Sequence, residues 1–217
     1  MPDHLGPPAP AKYPSDCELT EALLKKAAGP ELRPEKGYAR RACLSRAKPV
    51  QLLLLDVDGV LTDGTITYGP DGVETKSFNI KDGLGIRLLK KAGVETGLIT
   101  ARTSAAVTRR AQDLALVHVY QGVKNKVAVF AQLSNELKLP PEAVAYMGDD
   151  WLDLPLLTKV GFAATVADAA YEVRQLVHYV TGRPGGKGAV REVCDLILEA
   201  KGLQQALLAR YLAGPTD

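Results

Sequence analysis

Long apolar runs are missing from this chain. None of its stretches approaches the length of a membrane span, and the amino terminus lacks a basic start followed by an apolar segment. Both absences point to a soluble, cytoplasmic protein with no membrane partner. Cysteine is scarce: Cys17, Cys43 and Cys194 are odd in number and far apart, which argues against a disulfide framework and a zinc site and for reduced thiols. A strong charge of one sign is also lacking. The formal net charge is +2, and no basic run is long enough to make nucleic acid the main partner. Internal repeats are absent, and the one biased tract is an early cluster of prolines.

What is present suits one α/β domain with a proper core: 217 residues, 46% hydrophobic and 24% charged. The composition changes near residue 48. Residues 1–48 hold Pro2, Pro7, Pro8, Pro10, Pro14, Pro30 and Pro34 and read as a flexible extension. One short amphipathic helix is expected there over Cys17–Ala28. The basic residues Arg33, Lys36, Arg40, Arg41, Arg46 and Lys48 read as a solvated linker, with contact to an acidic partner as the alternative. The folded domain is expected over residues 49–202, followed by a C-terminal tail, 203–217.

The most informative stretch is Leu52-Leu53-Leu54-Leu55-Asp56-Val57-Asp58-Gly59. A continuous apolar run ending in carboxylates reads as a buried parallel strand that delivers charge to the carboxyl end of a sheet. On strand geometry Asp56 and Asp58, two apart, point into the same small volume. Two carboxylates there repel unless they share a proton or a cation, and an oxygen-liganded ion such as Mg²⁺ answers that need. An Asp-rich turn with no chemistry is the bland alternative.

From residue 50 strands and helices alternate. Thr65–Tyr68 and Val73–Phe78 flank Gly69-Pro70-Asp71-Gly72, a hairpin signal. Asp82 is expected to cap a helix that stops at Gly93, and Trp151–Val160 reads as a helix in which the lone Trp packs. His118 and His178 fall in strand patterns and read as structural. The rhythm predicts a Rossmann-like, mostly parallel sheet flanked by helices, with ligands at the carboxyl ends of its strands.

Successive strand ends carry chemistry. After Asp56 and Asp58 come Thr100, then Lys126 at a helix start, then Gly148-Asp149-Asp150-Trp151-Leu152-Asp153. Taken singly each has an ordinary reading, as a strand-closing Thr, a surface Lys or a helix cap. Together and in that order they make a phosphoryl-transfer site, where catalysis rests on positioning and neutralisation. Asp56 is the candidate nucleophile, forming an aspartyl-phosphate, and Asp58 the candidate acid and base. Mg²⁺ would bridge Asp56 and Asp149, with the backbone carbonyl of Asp58 as a further ligand, while Thr100 and Lys126 hold phosphoryl oxygens.

These motifs resemble those of the haloacid-dehalogenase-like phosphatases. Within that superfamily DVDGVLTDG (56–64), SFNIKDGLGI (77–86), ITAR (99–102), YMGDDWLD (146–153) and GGKGAVREVCDLIL (185–198) are similar to the 3-deoxy-D-manno-octulosonate 8-phosphate (KDO 8-phosphate) phosphatases. Ala101 stands where that family usually has Gly, and the long amino-terminal extension departs from its pattern. The gaps between motifs leave room for the hairpin but for no cap domain. The resemblance implies a Mg²⁺-dependent phosphatase of KDO 8-phosphate, serving lipopolysaccharide precursor synthesis. It also implies a homotetramer assembled through the hairpin (Thr65–Phe78).

Substrate contacts are expected from Asn79 and Lys81 after the hairpin. By resemblance, Arg102, Arg183 and Lys187 would meet the sugar acid, and an arginine fork suits a carboxylate. The rival substrate is a nonulosonate 9-phosphate. A non-catalytic binding module on the same fold is the alternative of another class.

Overall fold

The computed structural model describes residues 36–214. The expected helix Cys17–Ala28 lies outside them. Helix α1 (Lys36–Ala47) precedes the first strand, so the folded part starts earlier than residue 49. Cys43 and Ala47 are buried in the core, and the Cys43 thiol donates to the His178 carbonyl at 3.1 Å.

Among the described residues, eight short strands come next. They are β1 (Leu52–Leu55), β2 (Thr67–Tyr68), β3 (Glu74–Thr75), β4 (Glu95–Ile99), β5 (His118–Tyr120), β6 (Val144–Met147), β7 (Phe162–Thr165) and β8 (Tyr179–Val180). Among the described residues the main sheet has six strands in the order β5-β4-β1-β6-β7-β8, every pair parallel. Strands β2 and β3 form a separate antiparallel hairpin. The four leucines of β1 are fully buried between β4 and β6. Burying each contributes about 1.5–3 kcal/mol, which secures the strand that carries the first motif.

Helices cover the sheet: α2 (Ile80–Lys91), α3 (Ala105–Asp113), α4 (Lys126–Leu137), α5 (Leu154–Leu157), α6 (Tyr171–Leu176), α7 (Ala189–Ala200) and α8 (Gln204–Leu212). The expected tail therefore holds a helix, whose Leu207 is buried. The cap of α2 is Asn79 rather than Asp82; its side chain accepts from the Lys81 amide at 2.8 Å. Asp82 lies inside that helix, fully buried, and accepts from the Arg191 amide in the first turn of α7. The expected helix 151–160 is instead a 3₁₀ turn (Trp151–Asp153) running into the one-turn α5. Trp151 does not pack inside it: it is 61% exposed and donates from its ring nitrogen to Glu172. His178 is structural, its Nδ1 accepting from the Ala163 amide.

Parallel register aligns the strand ends. Leu55 pairs with Leu98 on one side and Met147 on the other, and Ile99 pairs with Tyr120. The ladder continues one step further, since the Asp56 amide donates to Met147 O and the Thr100 amide to Tyr120 O. The segments that leave these strands, carrying Asp56, Thr100 and Asp149, consequently emerge at one edge of the sheet.

Candidate active site

Asp56 is the first residue beyond β1. Its Oδ1 accepts from the Val57 amide at 2.7 Å, and its Oδ2 lies 2.9 Å from Lys126 Nζ. Lys126 opens α4, where Asn125 provides the cap, and it also reaches Asp153 Oδ1 at 2.6 Å and the Tyr146 hydroxyl at 3.1 Å. The Tyr146 hydroxyl donates to the same Asp153 oxygen at 2.5 Å. Asp153 Oδ2 accepts from the amides of Asp149 and Asp150, which closes the turn after β6.

Asp56, Asp149 and Asp153 each offer a carboxylate oxygen, and these atoms lie within 4.8 Å of one another. Burial, reinforced by Asp153, pushes Asp56 up to about 6. Burial, with Asp153, Asp56 and Asp150 adding to it, pushes Asp149 up to about 7. Lys126 is drawn down by burial, but Asp56 and Asp153 outweigh that and raise it on balance. One internal cation thus faces three carboxylates, and the excess negative charge calls for a second cation. The all-oxygen donor set fits Mg²⁺. The turn lies directly against this cluster: at Gly59 (φ +86°) a Cβ would collide with Asp149 Oδ2, so glycine is what lets the two segments approach.

Asp58 faces elsewhere. Strand geometry ends at Leu55, so the alternation that would have placed Asp58 beside Asp56 does not extend to it. Its carboxylate pairs with Lys76 of the hairpin, and its Oδ2 lies 4.0 Å from Arg102 Nε. Asp153, not the side chain of Asp58, completes the carboxylate cluster. Arg102 in turn holds Glu74 at 2.7 Å, and Glu74 lies 3.1 Å from Lys76. The hairpin is therefore clasped onto the mouth of the site by four alternating charges. Thr100 is buried beside them, its hydroxyl accepting from the Arg102 amide at 3.3 Å.

A family model described as haloacid dehalogenase-like hydrolase matches residues 115–192. The 3-deoxy-D-manno-octulosonate 8-phosphate phosphatase KdsC of Salmonella typhi is 45% identical over 175 residues, covering 81% of this chain and 93% of the relative. The chain belongs to the KDO 8-phosphate phosphatase family. Among solved structures, the Yersinia pestis KDO 8-phosphate phosphatase is 43% identical with a TM-score of 0.75, covering 76% of this chain and 89% of that one. The Moraxella catarrhalis enzyme, solved with magnesium ion, phosphate ion and KDO, is 40% identical with a TM-score of 0.76, over 78% and 97%.

In this member of the KDO 8-phosphate phosphatase family the expected substrate residues fall into three groups. Arg102 stands at the mouth. Asn79 is committed to structure: it caps α2 and donates from Nδ2 to Gly186 O at 3.3 Å. Lys81 and Arg183 are exposed, and exposed Lys187 lies 3.9 Å from Asp63. The glycine-rich loop before α7 rests directly on the turn that follows Asp56. The Gly186 amide donates to Val60 O at 3.0 Å, and a Cβ at Gly185 would fall 1.8 Å from Gly59 O.

Lys76, Glu74 and Tyr146 carry no signal of their role in the sequence. Lys76 lies among Glu, Thr and Ser in a strand that reads as solvent-facing, and only the folding of the hairpin over Asp58 buries its side chain. Asp153 is visible in the GDDWLD cluster, but its link to Lys126 depends on a 3₁₀ turn the sequence does not announce.

Proposed function

We propose that this chain is a Mg²⁺-dependent phosphomonoesterase that converts KDO 8-phosphate to KDO and inorganic phosphate. The observation that carries the reading is the convergence of Asp56, Thr100, Lys126 and Asp149 at one sheet edge, in a chain 45% identical to a KDO 8-phosphate phosphatase.

In this reading Asp56 attacks phosphorus through a carboxylate oxygen and forms an aspartyl-phosphate. Lys126 stays cationic, holds Asp56 in one rotamer and offers charge to the phosphoryl oxygens. The Thr100 hydroxyl supplies a further donor. Asp58 gives a proton to the leaving sugar oxygen and then takes one from the water that cleaves the acyl-phosphate. Asp56 and Asp149, with Asp153 beside them and the Asp58 carbonyl as a further ligand, would hold Mg²⁺, which would supply positive charge against the charge that develops on the transferred group. Asp153 orients Lys126 and ties the Asp149 loop. Arg102 meets the sugar-acid carboxylate, with Lys81, Arg183 and Lys187 as outer contacts and Asn79 supporting the loop beneath.

A homotetramer formed through the hairpin is part of the proposal. Ile66, Tyr68 and Val73, at 39%, 62% and 54% exposure, give the hairpin an outward apolar face in keeping with such packing. We place the reaction in the cytoplasm: the buried free thiol Cys194 suits a reducing compartment, and no helix of the described residues is long and apolar enough to cross a membrane.

The test is phosphate release from KDO 8-phosphate, a nonulosonate 9-phosphate and p-nitrophenyl phosphate, each with Mg²⁺ and with EDTA. A metal-dependent preference for KDO 8-phosphate is expected. Better turnover of the nonulosonate moves the substrate, and no release from any of the three overturns the reading. Analytical ultracentrifugation checks the tetramer.

A further inference from the structure

The clasp between hairpin and site ends in an unusual exchange of partners. Arg102 is the cation nearest the mouth, and its Nη2 already donates to Glu74 Oε2 at 2.7 Å. A guanidinium binds a carboxylate through its planar fork, so the fork that would receive a sugar acid is engaged by an acid of the protein itself. Hydrogen bonds from Arg102 and then Lys76 hold the Glu74 carboxyl down at about 2, so it is an anion throughout the working range.

We propose that Glu74 is an internal stand-in for the substrate carboxylate, occupying Arg102 until a sugar-acid carboxylate displaces it. This rests on the reading that Arg102 meets that carboxylate.

The exchange is balanced in charge. One carboxylate replaces another on Arg102, while Glu74 keeps Lys76, 3.1 Å from its Oε1, so neither group is left unpaired. The two links differ in strength. Lys76 has no exposed side-chain surface, whereas the Arg102 side chain is 42% exposed, and an ion pair open to water is the weaker one. The outer link is the one that breaks. A phosphate ester without a carboxylate leaves the Arg102–Glu74 link in place, so Glu74 weighs only on substrates that carry a carboxylate.

The experiment compares Glu74→Gln with the wild type on KDO 8-phosphate and on p-nitrophenyl phosphate, which has no carboxylate. Removing the competitor should lower KM for KDO 8-phosphate about threefold relative to KM for p-nitrophenyl phosphate, the scale of one exposed ion pair. Glu74→Asp keeps the charge but draws it back from Arg102, and should shift the ratio in the same direction. An unchanged ratio, or a rise showing that Glu74 preorganises Arg102, overturns the proposal. Arg102→Ala separates the two layers of the argument. If preference for KDO 8-phosphate survives that change, Arg102 does not read the carboxylate. If preference collapses while both Glu74 variants leave the ratio untouched, Arg102 reads it and Glu74 is no stand-in.

Discussion

Asp149→Asn should make the metal-free protein more stable at pH 8, although it removes a ligand. Burial and the neighbouring carboxylates hold Asp149 at about 7 against an ordinary 3.8. A carboxyl whose pKa is raised by folding binds its proton more tightly in the native state. The native state then keeps its full stability below about pH 4 and loses it progressively as pH rises to about 7. Each factor of ten is worth about 1.4 kcal/mol, so the gap between 3.8 and about 7 corresponds to about 4 kcal/mol. Asp149 is only partly buried, and solvent screening at its open edge brings a realistic cost to about 2 kcal/mol. Asp56, held at about 6, adds a smaller loss over the same range, and because the two carboxyls interact their costs do not simply add. Urea unfolding in EDTA at pH 5, 6, 7 and 8 reads the slope, and repetition with Mg²⁺ reads its cure. The wild type should weaken towards pH 8 in EDTA and recover with Mg²⁺. Asp149→Asn should weaken less, be the more stable of the two at pH 8, and gain little from Mg²⁺. A wild-type midpoint that is flat or rising between pH 5 and 8 in EDTA refutes the reasoning, as does an Asn variant that is the less stable at pH 8.

Other perturbations separate chemistry from support. Asp56→Asn should abolish phosphate release while circular dichroism and thermal unfolding report an intact fold; turnover at the wild-type rate ends its role as nucleophile. Lys126→Met strands Asp56 and Asp153 without their cation and should cost about 3–5 kcal/mol in EDTA, partly restored by Mg²⁺, read by urea unfolding. Gly185→Ala places a methyl group against Gly59 O and should cost about 1–3 kcal/mol, with a fall in kcat, measured by thermal unfolding and steady-state kinetics.

The parts of this molecule that were legible in its sequence are those where one local signal sufficed. Four leucines in a row can be buried on both faces only in an interior strand, and β1 is central. The segment Gly69-Pro70-Asp71-Gly72 turns the chain back on itself, and β2 pairs with β3 around it. Where two signals competed, burial decided. Asn79 and Asp82 are both capping residues, and the one that caps α2 is the one at its end, while Asp82 is drawn inward to bond the amide of Arg191 in α7. Helix α1 carries Arg40, Arg41 and Arg46 and almost no apolar stripe, so its residues read as linker; the small side chains of Cys43 and Ala47 are what it buries. In the site, Asp56, Thr100, Lys126 and Asp149 were legible because each comes after a strand. Lys76 and Glu74 were not, since nothing in a short polar strand states which surface it will lie upon.

The glycine-rich loop has a further consequence for how such a protein can change. Gly185 leaves no room against Gly59, and Gly59 none against Asp149, so three segments meet beside Asp56 with no spare volume. A library randomised there would return mostly unfolded chains. The opposite wall is the hairpin, whose outward residues are exposed and whose hold on the site is a pair of ion-pair links. New substrate ranges are therefore most readily sought on that wall, by varying residues 66–76 and leaving the glycines alone.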